Sequence, residues 1–148
     1  MIRSIAFCLS TVFLMVGCAT TPEPREPLSV DEILSGAAGL ETYGEPENCL
    51  RLTDYRKVEI LDRQNLLFWG SGKRVWLNRL RAPCIGLRRG ATLLLELSTG
   101  QACNLDSVTA VESSFRFWRR ASATCGLGQF EPISVEQAKA LKAALDRG

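Results

Sequence analysis

The stretch Arg56-Lys-Val-Glu-Ile-Leu-Asp-Arg-Gln-Asn-Leu-Leu-Phe-Trp-Gly-Ser-Gly-Lys73 carries the pattern that decides the fold. Its first residues alternate polar and apolar, with Val58 and Ile60 on one face, the period of a half-buried strand and not of a helix. Asp62-Arg-Gln-Asn65 supplies turn formers, and Leu66-Leu-Phe-Trp69 reads as a short apolar strand. Gly70-Ser-Gly-Lys73 is then a glycine-rich hairpin connection to a further strand over Arg74–Leu80.

The same grammar continues downstream. Gly90 precedes Ala91–Ser98, where Leu93, Leu95 and Leu97 share a face. Thr99-Gly-Gln101 turns the chain, and Ser107–Glu112 follows with Val108 and Ala110 paired on one side. Short strands at this spacing predict a mostly β fold, a small antiparallel barrel or curled meander of about six strands. Two helices flank it. Ser29-Val-Asp-Glu32 and Ser134-Val-Glu-Gln137 both fit a capping box, in which a hydroxyl satisfies an amide of the first turn and the fourth side chain reaches back. The second box opens a C-terminal helix rich in Ala, Leu and Lys.

The N-terminus has a different organisation. Met1-Ile-Arg-Ser4 is a short basic start, and Ile5–Val16 is an apolar run of 12 residues. That run is too short to span a bilayer core, which takes about 20 apolar residues, and it fits the central region of a secretory signal. Met15-Val-Gly-Cys18 resembles the lipobox of bacterial lipoproteins, with Met where Leu is usual. The resemblance implies cleavage before Cys18 and acylation of its thiol and new amino group. Two or more acyl chains give stable anchoring where one is marginal. The rival is ordinary cleavage after Ala19, which would leave a soluble periplasmic protein. Pro22, Pro24 and Pro27 then make residues 18–28 an extended tether, reaching about 30 Å. Ala19 is not the Asp that tends to hold such lipoproteins in the inner membrane, so the expected location is the outer membrane, facing the periplasm.

Charge is segregated. The whole chain has 18 Lys and Arg against 16 Asp and Glu and no histidine. Residues 19–48 hold seven acids against Arg25 alone, whereas residues 49–131 hold thirteen cations against seven acids. The expected organisation is therefore a signal peptide (1–17), a lipidated cysteine with its tether (18–28), a short helix and acidic linker (29–48), a disulfide-bonded β domain (49–133) and a C-terminal helix (134–148).

Of six cysteines, Cys8 leaves with the signal and Cys18 is the lipidation site. Cys49, Cys84, Cys103 and Cys125 remain, an even number that reads as two disulfides in an exported chain. Their spacings contain no short cysteine knuckle, so no metal site is expected. In an up-and-down meander, strand parity puts Cys49 and Cys103 at one end and Cys84 and Cys125 at the other. Bridged Cα atoms must lie within about 7 Å, so the expected pairs are Cys49–Cys103 and Cys84–Cys125.

Between Cys49 and Phe130 the chain resembles an uncharacterised four-cysteine family of small exported envelope proteins of Gram-negative bacteria. The features that carry the resemblance are Cys49, Ile60-Leu-Asp62 with Leu67-Phe68, Leu77-Asn-Arg-Leu80, Cys84-Ile-Gly-Leu87, Cys103 with Asp106, and Cys125-Gly-Leu-Gly-Gln-Phe130. The resemblance implies an envelope location and a shared fold. It carries no activity and transfers no catalytic residue.

Chemistry is sparse. Without histidine there is no Ser-His, Cys-His or His-ligated metal arrangement. Gly70-Ser-Gly-Lys73 lacks the glycine spacing of a phosphate loop and the hydroxyl after its lysine. Asp54, Asp62, Asp106 and Glu112 are dispersed, and Asp106 fits turn chemistry. No catalytic residue and no cofactor is expected. The functional expectation is a lipid-anchored envelope protein with a structural or accessory role, binding the membrane through its anchor and another envelope protein through its folded face, without nucleic acid. A binding module for an anionic envelope polymer or lipid headgroup is the alternative. It rests on Phe115-Arg-Phe-Trp-Arg-Arg120, where Arg116, Trp118, Arg119 and Arg120 interleave guanidinium groups with an aromatic platform.

Overall fold

The computed structural model describes residues 29–36, 44–114 and 117–146, and of residues 113, 114, 117, 118 and 120 the backbone alone. The elements in chain order are α1 (Val30–Gly36), β1 (Cys49–Arg51), β2 (Tyr55–Ile60), β3 (Asn65–Gly70), β4 (Val75–Arg79), β5 (Thr92–Glu96), β6 (Gln101–Cys103), β7 (Ser107–Ser114), β8 (Phe117–Arg120), β9 (Cys125–Gly126), β10 (Phe130–Ile133) and α2 (Val135–Leu145). The expected signal (1–17), Cys18 and the expected tether (18–28) lie outside the described residues.

Strands β2, β3 and β4 form the expected antiparallel meander, and β10 returns to pair with the far side of β4. Gly70 N–H donates to Arg74 C=O at 2.9 Å and closes the β3–β4 hairpin. A second sheet has the order β5-β7-β8, with β9 sharing the β7 edge at Ser107 and Val108. A two-stranded ribbon joins β1 to β6.

The apolar run Leu66–Trp69 makes sense once both faces of the β10-β4-β3-β2 sheet are considered. Leu66 and Phe68 point to one side, with Ile60, Trp76 and Phe130, and meet Ala102, Val108 and Ala110 from the other two sheets. Leu67, Trp69, Val75, Leu77 and Ile133 point to the opposite side and meet Ile33 of α1 and Ala138 and Leu141 of α2. A sheet covered on both faces has no need to alternate, so its strands read as continuous apolar runs. Phe68 is fully buried and takes Tyr55 and Phe130 edge-on, at centroid distances of 5.1 and 5.0 Å. Each such pair adds about 0.5–1.5 kcal/mol beyond its buried area.

The fold is mostly β and antiparallel, with a C-terminal helix and two disulfides, as expected. Two features of the expectation are corrected. Ten strands are described where about six were read, and they make separate sheets with no closed barrel. After Leu80 the chain leaves the first sheet, is pinned at Cys84 and re-enters as β5 in the second, so β4 and β5 never pair. Both capping boxes form. Ser29 Oγ accepts from Glu32 N at 3.2 Å and Glu32 Oε2 accepts from Ser29 N at 2.8 Å. Ser134 and Gln137 repeat the exchange at 3.0 and 2.8 Å.

Candidate functional site

The carboxylates that the sequence singles out for chemistry are engaged in building the fold. Asp62 Oδ1 accepts from the backbone N–H groups of Gln64 and Asn65 at 2.7 and 2.8 Å and closes the β2–β3 turn. Asn78 is fully buried on β4. Its amide nitrogen donates to Gly128 C=O at 2.7 Å, and its oxygen accepts from Gly128 N at 3.1 Å. One amide thus fixes the strand entering β10, because both partly buried backbone groups of Gly128 and the buried amide itself find their partners in this exchange.

The glycines of this frame mark close approach. A Cβ on Gly86, whose φ is +82°, would lie 2.4 Å from Ala121 C=O. Cys84–Cys125 joins the same region, with Cα atoms 5.8 Å apart, and Cys49–Cys103 locks the β1–β6 ribbon at a directly paired position, with Cα atoms 4.0 Å apart. Leu87, Leu127 and Phe130 are buried in the core.

Asp106 is buried and its two oxygens are occupied. Oδ1 accepts from the Ser98 hydroxyl and, at 3.0 Å, from Ser98 N–H, while Oδ2 accepts from Cys103 N–H at 2.8 Å. The Ser98 hydroxyl, with the Ser98 and Cys103 amides behind it, holds the carboxyl below the usual carboxylate range against the opposing cost of burial. A carboxylate so held is an acceptor that shapes a turn and is poorly suited to take up a proton as a base at neutral pH. Because the folded pKa is depressed, the stability it contributes is present above the unfolded value of about 3.9 and is lost as pH falls through the folded one. Asp106→Ala should therefore cost about 1–3 kcal/mol near neutral pH, where three donors lose their partner. The gap between variant and parent should narrow by pH 3, as read from denaturant midpoints; an equal gap at both pH values would refute the linkage.

Several arginines are pinned by acids or carbonyls. Arg79 reaches Asp31 of α1 at 2.6 Å and lies 3.3 Å from Glu131 Oε1, the latter without hydrogen-bond alignment at Nε. Arg81 donates to Leu127 C=O at 3.2 Å and to Asn104 C=O; Arg88 pairs with Glu112, and Arg89 with Asp146. Much of the basic body thus fastens loops and helices. For the anion-binding alternative, Arg119 is exposed and lies opposite Glu112 in the β7–β8 register. Arg120 is opposite Val111 and Trp118 opposite Ser113 by backbone register, and Arg116 lies outside the described residues.

Sequence reasoning missed two sites. Glu59 is a hub: Oε1 accepts from Lys142 of α2 at 2.7 Å and Lys57 at 3.4 Å, and Oε2 accepts from Trp69 Nε1 at 2.9 Å. Burial raises its pKa, but the Lys142 and Trp69 hydrogen bonds outweigh that and hold it low. The second is a groove of about 350 Å³ between residues 44–47 and the ends of β4 and β10, where Trp76 Nε1 donates to Glu47 at 2.9 Å and Arg74 stacks 5.6 Å over the indole. Among the described residues no three His, Cys, Asp or Glu side chains form a group able to hold a metal. No described helix is long and apolar enough to cross a membrane.

A family model described as a family of unknown function, DUF6491, matches residues 1–148, the whole chain. The chain belongs to DUF6491. No curated protein and no solved structure matches it. As a DUF6491 member the chain inherits no assigned activity. Its cysteine frame, Asn78, Asp62 and Asp106 are accounted for by packing, turns and disulfides.

Proposed function

We propose that this DUF6491 protein is a lipid-anchored accessory protein of the Gram-negative envelope, held by Cys18 in the outer membrane and acting through its folded face on another envelope protein. It works by binding and not by turnover. The observation that supports this reading is the disposition of cysteines. Cys49, Cys84, Cys103 and Cys125 are all consumed in disulfides, which persist in oxidising compartments. That leaves Cys8, inside the apolar signal-like run, and Cys18, at its end and placed as the thiol for acylation. The occupied carboxylates of Asp62, Asp106 and Glu59 are consistent with a scaffold.

Labelling of expressing cells with radioactive palmitate tests the anchor. Label should appear on the mature chain, disappear in Cys18→Ala, and fractionate with outer membranes. An unlabelled product beginning at Thr20 would establish a soluble periplasmic protein and end the anchor reading. Recovery of an envelope protein with the lipidated chain, lost when the exposed face is changed, tests the accessory role; robust turnover by the intact protein would overturn it.

A further inference from the structure

Among the described residues, most sheet edges carry a device that opposes strand addition. β2 exposes Arg56 and Lys57 and shifts register between Tyr55 and Lys57. β10 contains Pro132 and has Glu47 bridged to Phe130 along its outer side. β8 carries exposed Arg119, and β1 and β6 are three residues long and cross-linked to each other. Charges, proline, bulges and shortness are the devices by which edge strands avoid pairing with other chains.

β5 has no proline, no bulge and no charge before its last residue. It pairs with β7 alone among the described residues, over five positions without a register shift, and its sequence Thr92-Leu-Leu-Leu-Glu96 has one charge, at the end. Leu94 is 51 % exposed, and the inward-facing Leu93 and Leu95 are only half-buried. An apolar edge without a register shift is a template for β-augmentation.

We propose that the occupant of this edge is a second copy of the same chain, added antiparallel about a two-fold axis at Leu94 and continuing the β5-β7-β8 sheet across the dimer. The strand is self-complementary in that arrangement. Leu93 faces Leu95 of the second copy on the inner side, which completes the cover of both, and Leu94 faces Leu94 of the second copy on the outer side. Thr92 faces Glu96 of the second copy, a hydroxyl beside a carboxylate, whereas parallel addition would set Glu96 against Glu96, and like charges directly opposite destabilise a sheet. Five paired residues make a contact smaller than the roughly 1,200 Å² of ordinary stable complexes. The dimer is therefore weak in dilute solution and forms where copies are concentrated.

Cysteine scanning of the full-length protein in mild detergent tests this. In a strand pair centred on Leu94 only position 94 opposes itself, with Cα atoms about 4.5–5.5 Å apart, within disulfide reach. Position 92 is displaced from its own copy by about 13 Å along the strands. Leu94→Cys should give a dimer on non-reducing gels under mild oxidation. Thr92→Cys alone should not, whereas a mixture of Thr92→Cys with Glu96→Cys should. Leu94→Lys should lose the concentration-dependent mass increase in ultracentrifugation while keeping its unfolding midpoint, because Leu94 faces outward. No Leu94→Cys dimer at any concentration, equal cross-linking at 92 and 94, or cross-linking only to a different envelope protein would overturn the proposal.

Discussion

Gly128→Ala will be among the most damaging single substitutions in this chain, costing about 3 kcal/mol or more. A Cβ at this position would lie 2.0 Å from Arg79 C=O and 3.2 Å from its carbonyl carbon. The obstruction is backbone, so no rotamer change relieves it. Neither side can back away cheaply. Gly128 N and C=O are both held by the buried Asn78 side chain, and Arg79 is the last residue of β4, paired with Asn65 of β3. Relief would require separating the strand entering β10 from β4, which breaks the Asn78 network and unseats Phe130. The expected readout is loss of soluble protein or a large fall in denaturant midpoint. Gly36→Ala is the matched control, because a Cβ there meets nothing within 4 Å. A Gly128→Ala protein as stable as that control would show that the two segments do not approach as described.

Loss of the disulfides will be the other large effect. The bridges close sequence separations of 54 and 41 residues. On a chain-entropy account, loops of that length each contribute about 4 kcal/mol, and removal of native bridges from small exported domains costs about 2–5 kcal/mol. Total stabilities of about 5–15 kcal/mol are usual, so removing both would leave little. Cys84 is also wholly buried, and the Cys84→Ala, Cys125→Ala double variant opens space beside Leu87 and Leu127 in addition to freeing the chain. Unfolding in guanidinium with and without reductant should separate the midpoints widely. A shift worth less than about 1 kcal/mol would mean that the core holds the fold unaided.

Much of the β architecture was legible because its signals are local. Val58 and Ile60, Leu93 and Leu95, and Val108 and Ala110 alternate, and each pair faces the core side that the alternation implies. The capping hydroxyls at Ser29 and Ser134 act within one helical turn, so sequence alone suffices for them. The missed strands lack such signals. β1 and β6 are too short to show a period, β8 is written in arginines and aromatics, and Pro132 disguises β10. The disulfide pairs were legible by parity, yet Cys49 and Cys103 meet through the β1–β6 ribbon, which parity did not contain. The partners of Asn78 and Glu59 lie 50 and 83 residues away, and no short-range pattern reveals such contacts.

For an exported chain, as proposed for this one, the order of the four cysteines has a consequence for biogenesis. The bridges interleave: Cys84 lies inside the span closed by Cys49 and Cys103, and Cys103 lies inside the span closed by Cys84 and Cys125. A chain crossing a membrane N-terminus first presents Cys49 and Cys84 together before Cys103 has emerged. An oxidase acting on thiols as they arrive would join that non-native pair, and reaching the native set then requires attack by a later thiolate through a mixed disulfide. Maturation of such a protein would lean on a disulfide isomerase, and cells lacking that enzyme would accumulate scrambled chains while consecutively bridged proteins matured normally.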